Sequence, residues 1–212
     1  MQNGHIYDSN REMIKGFLKK LGYQVKDLGI LKDNIKVVEK KLSKASIDND
    51  LIITSGGMSL GDEDHIKDII EKKGKIHAWR LSIKPGRPVG FGIYNNCPII
   101  GLPGNPAAAF VTFLMVAIPI LKKMSGQLID KYNLIPITSD FHYTKKKFRK
   151  EFIRVKIVNK NNKLTMLKFP KVGAGILTSA TWATGMGILD ENIEVIKPGD
   201  QINYLSFNEI LG

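Results

Sequence analysis

LIITSGGMSLGDED, residues 51–64, sets a short apolar run against two glycines and an acidic start to the next segment. Leu51–Thr54 has the composition of a strand buried on both faces. Ser55-Gly56-Gly57 breaks that strand, and a helix is expected from about Asp64 to Lys73, stopped by Gly74. The same alternation extends outward in both directions. Upstream, Ser9 followed by Glu12 has the form of a capping box, and Met13, Ile14, Phe17, Leu18 and Leu21 recur at helical spacing before Gly22. Tyr23–Leu28 alternates like a short strand, and Asp33 is placed to cap a second helix with Ile35, Val38 and Leu42 on one face. Downstream, Lys75–Ile83, Val89–Tyr94 and Pro98–Leu102 read as strands, and a long helix starts at Pro106 behind Asn105 as its N-cap. Strands alternating with helices predict an α/β fold with a doubly wound, mainly parallel sheet.

The pattern changes after Gly126. Leu134–Ile137, Glu151–Val158, Lys163–Phe169, Asn192–Ile196 and Gln201–Phe207 are β-type, with turn signals at Asn161-Asn162 and Pro198-Gly199 and no amphipathic helix. Residues 1–126 are therefore expected to form the α/β domain, and residues 127–212 a small all-β, barrel-like one.

Composition narrows the function classes. Lys and Arg number 32 against 20 Asp and Glu, a net charge of +12, which favours anionic partners. The lysines are spread along the chain, and the densest cluster, KKKFRK at 145–150, reads as a solvated face. No nucleic-acid motif accompanies the charge. The longest apolar stretch, Ala107–Leu121, is interrupted by Thr112 and Pro119 and falls short of the roughly 20 residues that cross a bilayer, so a buried helix is expected and no membrane. MQNGHIYDSN has no apolar signal core, and the single cysteine, Cys97, permits no intrachain disulfide. A reduced, cytoplasmic setting is expected.

Ligands of parallel α/β sheets bind in the loops at the carboxyl ends of the strands, and three segments here carry suitable chemistry. In the 54–64 loop, paired glycines let backbone N–H groups turn toward an anion, and the loop feeds a helix. Its Asp62, Glu63 and Asp64 suit a metal bridging to phosphate, or simple compensation of the helix dipole. In Lys84-Pro85-Gly86-Arg87-Pro88, two prolines stiffen a turn bearing two cations, which suits a dianion. Leu102-Pro103-Gly104-Asn105-Pro106 is a rigid strand-to-helix turn that also leaves backbone amides free at a helix start.

Taken in order, IYDSNR (6–11), GILKDN (29–34), TSGGMSLGDED (54–64), KPGRP (84–88) and GLPGNP (101–106) resemble the MoeA and gephyrin E-domain family of molybdopterin molybdenumtransferases. KFRKEFIRVKI (147–157) and GAGILTSAT (173–181) resemble that family's C-terminal domain, so the likeness covers essentially the whole chain. The resemblance implies an enzyme that inserts molybdate into adenylylated molybdopterin, releasing AMP with help from Mg²⁺ or another divalent cation. It implies that Asp33 and Asp64 are the acidic residues near the substrate, with Asp62 and Asp64 as candidate metal ligands. Ser55, Gly56, Gly57 and Ser59 would line the pterin-phosphate pocket, with Pro103, Gly104, Asn105 and Pro106 as its neighbouring wall. Lys84 and Arg87 would meet the anionic substrate or molybdate, and Arg149, Arg154 and Ser179 are further candidates for molybdate. A homodimer is expected, as is an encounter with a molybdopterin adenylyltransferase.

The chain begins after the strand and the STGDE-type loop that open the family's MogA/MoaB-like domain, so weak or absent transferase activity is expected of this chain alone. Two other readings remain at this level. One is an adenylyltransferase of the simpler pterin-binding fold, for which the β region is superfluous. The other is a non-catalytic, gephyrin-like scaffold.

Overall fold

The computed structural model describes residues 8–31, 34–57, 65–128, 131–170 and 177–212. The chain divides into two compact units, one made of Met1–Leu81 and Pro88–Phe113, the other of Ser82–Arg87 and Leu114–Gly212.

The first unit opens with helix α1 (Ser9–Lys20), capped by Asp8, whose carboxylate accepts from the Arg11 amide. Helix α2 (Ile35–Asp48) is capped by Asn34, which accepts from the Lys36 and Val37 amides. The caps thus sit one residue from Ser9 and one from Asp33, and Asp33 itself lies outside the described residues. Strand β1 (Ile52–Ser55), helix α3 (His65–Lys73) and strand β2 (Gly74–Trp79) follow. Tyr23–Leu28, expected as a strand, forms no strand and runs irregularly.

Lys75–Ile83 is not one strand. β2 stops at Trp79, Arg80 turns with φ +68°, and a separate two-residue strand β3 (Ile83–Lys84) joins the second unit. The chain returns as β4 (Gly90–Tyr94) and β5 (Cys97–Leu102). The sheet order is β1-β5-β4-β2, in which β1–β5 is parallel while β5–β4 and β4–β2 are antiparallel. The described sheet is therefore mixed, where the sequence predicts a mainly parallel one. The reason is legible in the linker. Only Asn95 and Asn96, at φ 46° and 66°, separate β4 from β5. Two residues of left-handed backbone make a hairpin, whereas a parallel neighbour needs a crossover of about a dozen residues. The core gathers Val38, Leu42 and Ala45 of α2, Ile69 and Ile70 of α3, and Ile52, Tyr94 and Ile99 of the sheet.

Helix α4 (Pro106–Thr112) begins at Asn105, whose side chain accepts from the Ala108 amide. It widens into a π-helical segment, Phe113–Ala117, and resumes as α5 (Ile118–Met124). Pro119 accounts for the widening, because its ring would collide with the carbonyl four residues back in a regular α-helix. Length and apolar composition would let this helix cross a membrane. Its residues are nonetheless core: Ala107, Ala109, Val111, Phe113, Leu114, Ala117 and Ile118 are all fully buried. Phe17 of α1 packs its ring on Phe110 and Phe113, as the helical spacing requires.

The second unit is a closed five-stranded barrel of β6 (Ile135–Ser139), β8 (Lys150–Lys160), β9 (Lys163–Lys168), β10 (Gly185–Leu189) and β12 (Gln201–Ser206). The ring runs β10-β12-β6-β9-β8 and back to β10, with β3 added beside β8. Ile137, Ile153, Val155, Met166, Leu189 and Ile202 fill it. Closure depends on Gly185, where a methyl group would run into the Leu205 carbonyl oxygen and the Tyr204 ring. The strands β7 (Tyr143–Thr144) and β11 (Val195–Ile196) form a separate antiparallel pair. Two short helices that the sequence did not signal, α6 (Thr178–Trp182) and α7 (Phe207–Leu211), complete the unit. Nor is KKKFRK wholly a solvated face. Lys145 is 5% exposed and donates to the carbonyls of Lys146, Arg149 and Glu191, tying down the loop that follows it.

Candidate functional site

In the first unit, parallel pairing sends the carboxyl ends of β1 and β5 out at the same edge, with Ser55 opposite Leu102. The two following loops therefore start side by side. The Gly56 amide donates to the Leu102 carbonyl at 3.0 Å, and Ser55 Oγ donates to the Pro103 carbonyl at 3.3 Å. Gly56 and Gly57 take φ +89° and +69°, a backbone that side chains oppose. The expected pocket residues Ser55, Gly56, Gly57, Pro103, Gly104, Asn105 and Pro106 are thus brought together.

The structure adds a residue to that group. Asn10, 6% exposed, reaches from α1 and donates through Nδ2 to Ser55 Oγ and to the Gly104 carbonyl, each at 2.8 Å. One side-chain amide therefore links both loops. Its own Oδ1 is buried without a hydrogen-bond partner among the described residues. The available signal was positional: Asn10 stands four residues before Ile14, on the face that α1 buries.

The cations of KPGRP lie in the second unit, not the first, because β3 pairs in parallel with β8 and sets Lys84 opposite Glu151. The Lys84–Pro85 peptide bond is cis and Gly86 takes φ +103°. Glu151, 1% exposed, accepts from Tyr143 Oη at 2.7 Å and from Arg149 Nε at 2.8 Å, and lies 3.2 Å from Lys84 Nζ. Lys84 Nζ also donates to Tyr143 Oη at 3.0 Å. Burial works against the Lys84 ammonium, yet its bonds to Tyr143 and Glu151 more than offset this and hold its pKa above the ordinary value. The Tyr143 phenol is pushed up by burial and by its bond to Glu151, with Lys84 acting the other way.

Arg154 Nε donates to Ser179 Oγ at 2.6 Å, and Ser179 is fully buried in α6. Burial lowers the Arg154 pKa, which Tyr143 partly counters. Arg149, Arg154 and Ser179 thus fall in the same unit as Lys84, while Arg87 is exposed there. Glu151 and Tyr143 were not nominated from sequence. Asp33, Ser59, Asp62 and Asp64 lie outside the described residues. Among the described residues no group of His, Cys, Asp and Glu could hold a metal ion. Cys97 is buried, donates to the Asn49 carbonyl, and has its thiol pKa raised chiefly by burial.

Residues 1–123 match the family described as "Probable molybdopterin binding domain", and residues 137–207 match "MoeA C-terminal region (domain IV)". A molybdopterin molybdenumtransferase of Haemophilus influenzae is 33% identical over 100% of this chain and 53% of its own length. One from a Nostoc species is 37% identical over 59% of this chain and 30% of its own length. The crystal structure of a molybdopterin biosynthesis MoeA protein from Pyrococcus horikoshii superposes with a TM-score of 0.80 at 24% identity, over 98% of this chain and 50% of that one. That likeness concerns the fold. The chain spans about half the length of the curated relative matched along its whole extent.

Proposed function

Because the chain belongs to the probable molybdopterin binding domain family, we propose that it serves molybdenum cofactor biosynthesis by inserting molybdate into adenylylated molybdopterin with release of AMP. The observation that supports this best is the side-by-side pairing of Ser55–Gly57 with Pro103–Asn105, linked by Asn10. Backbone amides and small side chains at a strand edge suit a phosphate or diphosphate.

In this reading the paired loops of the first unit are the candidates to hold the pterin phosphate, and Lys84, Arg87, Arg149, Arg154 and Ser179 of the second are the candidates to meet molybdate or the anionic substrate. Both reactants are anions that repel each other, and fixed cations offset that repulsion where charge must gather. The two dithiolene thiols replace one oxo ligand of molybdate, which leaves as water carrying both thiol protons, with molybdenum's oxidation state unchanged. Water adds across the phosphoanhydride, which breaks to leave the pterin phosphate and AMP. Ser59, Asp33 and Asp64 would complete the substrate contacts. Mg²⁺ or another divalent cation belongs to the proposal, with Asp62 and Asp64 as the residues that would hold it. The doubly wound, MogA/MoaB-like form of the first domain, the division at residue 126, a homodimer, a cytoplasmic setting and an adenylyltransferase partner belong to the same proposal. The closed barrel favours this reading over a simple adenylyltransferase, in which a barrel has no part.

Purified chain mixed with adenylylated molybdopterin, molybdate and Mg²⁺ is expected to release AMP in a molybdate-dependent way, and Asp64→Asn to abolish the release. AMP release that ignores molybdate would overturn the proposal.

A further inference from the structure

We propose that Glu151, together with Tyr143, is a positioning pair for Lys84, holding its ammonium ready for an anionic ligand. The inference rests on the reading that Lys84 meets substrate. Two independent features place Lys84 against Glu151: the β3–β8 register, and a carboxylate whose two oxygens are both engaged. Tyr143 Oη sits at the centre, donating to Glu151 at 2.7 Å and accepting from Lys84 at 3.0 Å. The lysine side chain remains 44% exposed, so its ammonium is both tethered and reachable.

The charge count explains why the tether does not cancel the site. Lys84 and Arg149 contribute two positive charges against the single negative charge of Glu151, leaving one in excess. A free lysine loses considerable rotamer freedom when it is fixed on a ligand. Here the hydrogen bonds fix it beforehand, so less is lost on binding. Tyr143 in turn packs against the barrel core, which supports the tether from the side away from the ligand-accessible ammonium.

The test uses the whole chain and its Tyr143→Phe, Lys84→Ala and double variants, each checked by thermal melting. Molybdate and adenylylated molybdopterin are the ligands, titrated calorimetrically, and the Lys84 pKa is followed by NMR of its labelled ε-carbon. Tyr143→Phe is expected to lower the Lys84 pKa and to weaken anion binding about tenfold, with no further loss when added to Lys84→Ala. Equal losses with and without Lys84, or an unmoved Lys84 pKa, would overturn the positioning role. If Lys84→Ala binds both anions as tightly as wild type, the functional assignment of Lys84 fails and the proposal falls with it. The NMR titration then still shows whether the tether itself exists, so the two failures are told apart. If Tyr143→Phe does not fold, Glu151→Gln replaces it with the same readouts and the same outcomes.

Discussion

Around Ser55 and Gly104 the first unit joins its loops with neutral groups, Asn10 donating to a hydroxyl and a carbonyl. Around Glu151 the second unit instead sets one carboxylate between two cations and a phenol. A neutral amide link fixes backbone geometry and is indifferent to pH. A charged cluster fixes side chains, leaves net charge for a ligand, and is costly to disrupt because it is buried. The two clusters should therefore fail in different ways.

The largest effect is expected from Glu151→Ala, which strands Lys84 and Arg149 beside a buried gap. Because the cations left behind are 44% and 31% exposed, the loss is that of the carboxylate's charged hydrogen bonds, about 1.5–3 kcal/mol, measurable as a drop in the unfolding midpoint in urea. A cost near zero would show that water screens the cluster. Next comes Asn10→Ala, which deletes two hydrogen bonds and leaves the Gly104 carbonyl without its Asn10 donor. About 1–3 kcal/mol is expected from such a loss, and the same value at pH 5 and pH 9, since no charge is involved.

A pH scan sharpens the contrast. The folded pKa of Lys84 lies above its ordinary 10.5. Its contribution is therefore fully present below that value and is lost as pH rises through the higher folded pKa. The stability difference between wild type and Tyr143→Phe should stay flat through neutral pH and shrink only in strong alkali. A slope near neutrality would mean that another group governs the cluster. The smallest effect concerns Phe148, which is 79% exposed at φ +62°. Left-handed backbone costs a non-glycine residue about 1–2 kcal/mol, so Phe148→Gly should stabilise the chain by about 1 kcal/mol in the same urea assay.

Much of this was legible in the sequence. Strand β1, helix α3, the start of the long helix at Pro106 and the β-rich second half follow from apolar runs, caps and turn residues read locally. The mixed sheet leaves no mark within any single strand; its trace is the pair of asparagines between β4 and β5, which leave room only for a hairpin. The transfer of Lys84 to the barrel was not legible, since strand pairing across 67 positions (Lys84↔Glu151) leaves no local trace. Asn10 shows the intermediate case. It lay on the buried face of α1, yet its partners come from loops 45 and 94 residues away.

The most direct test of the central claim is a calorimetric titration of the chain with adenylylated molybdopterin, with and without Asn10→Ala. Saturable binding at one site per chain, weakened at least about tenfold in a variant that still melts cooperatively, is the expected result. Absence of saturable binding to the wild-type chain, or equal affinity in both proteins, would contradict the assignment of the paired loops as the substrate's phosphate site.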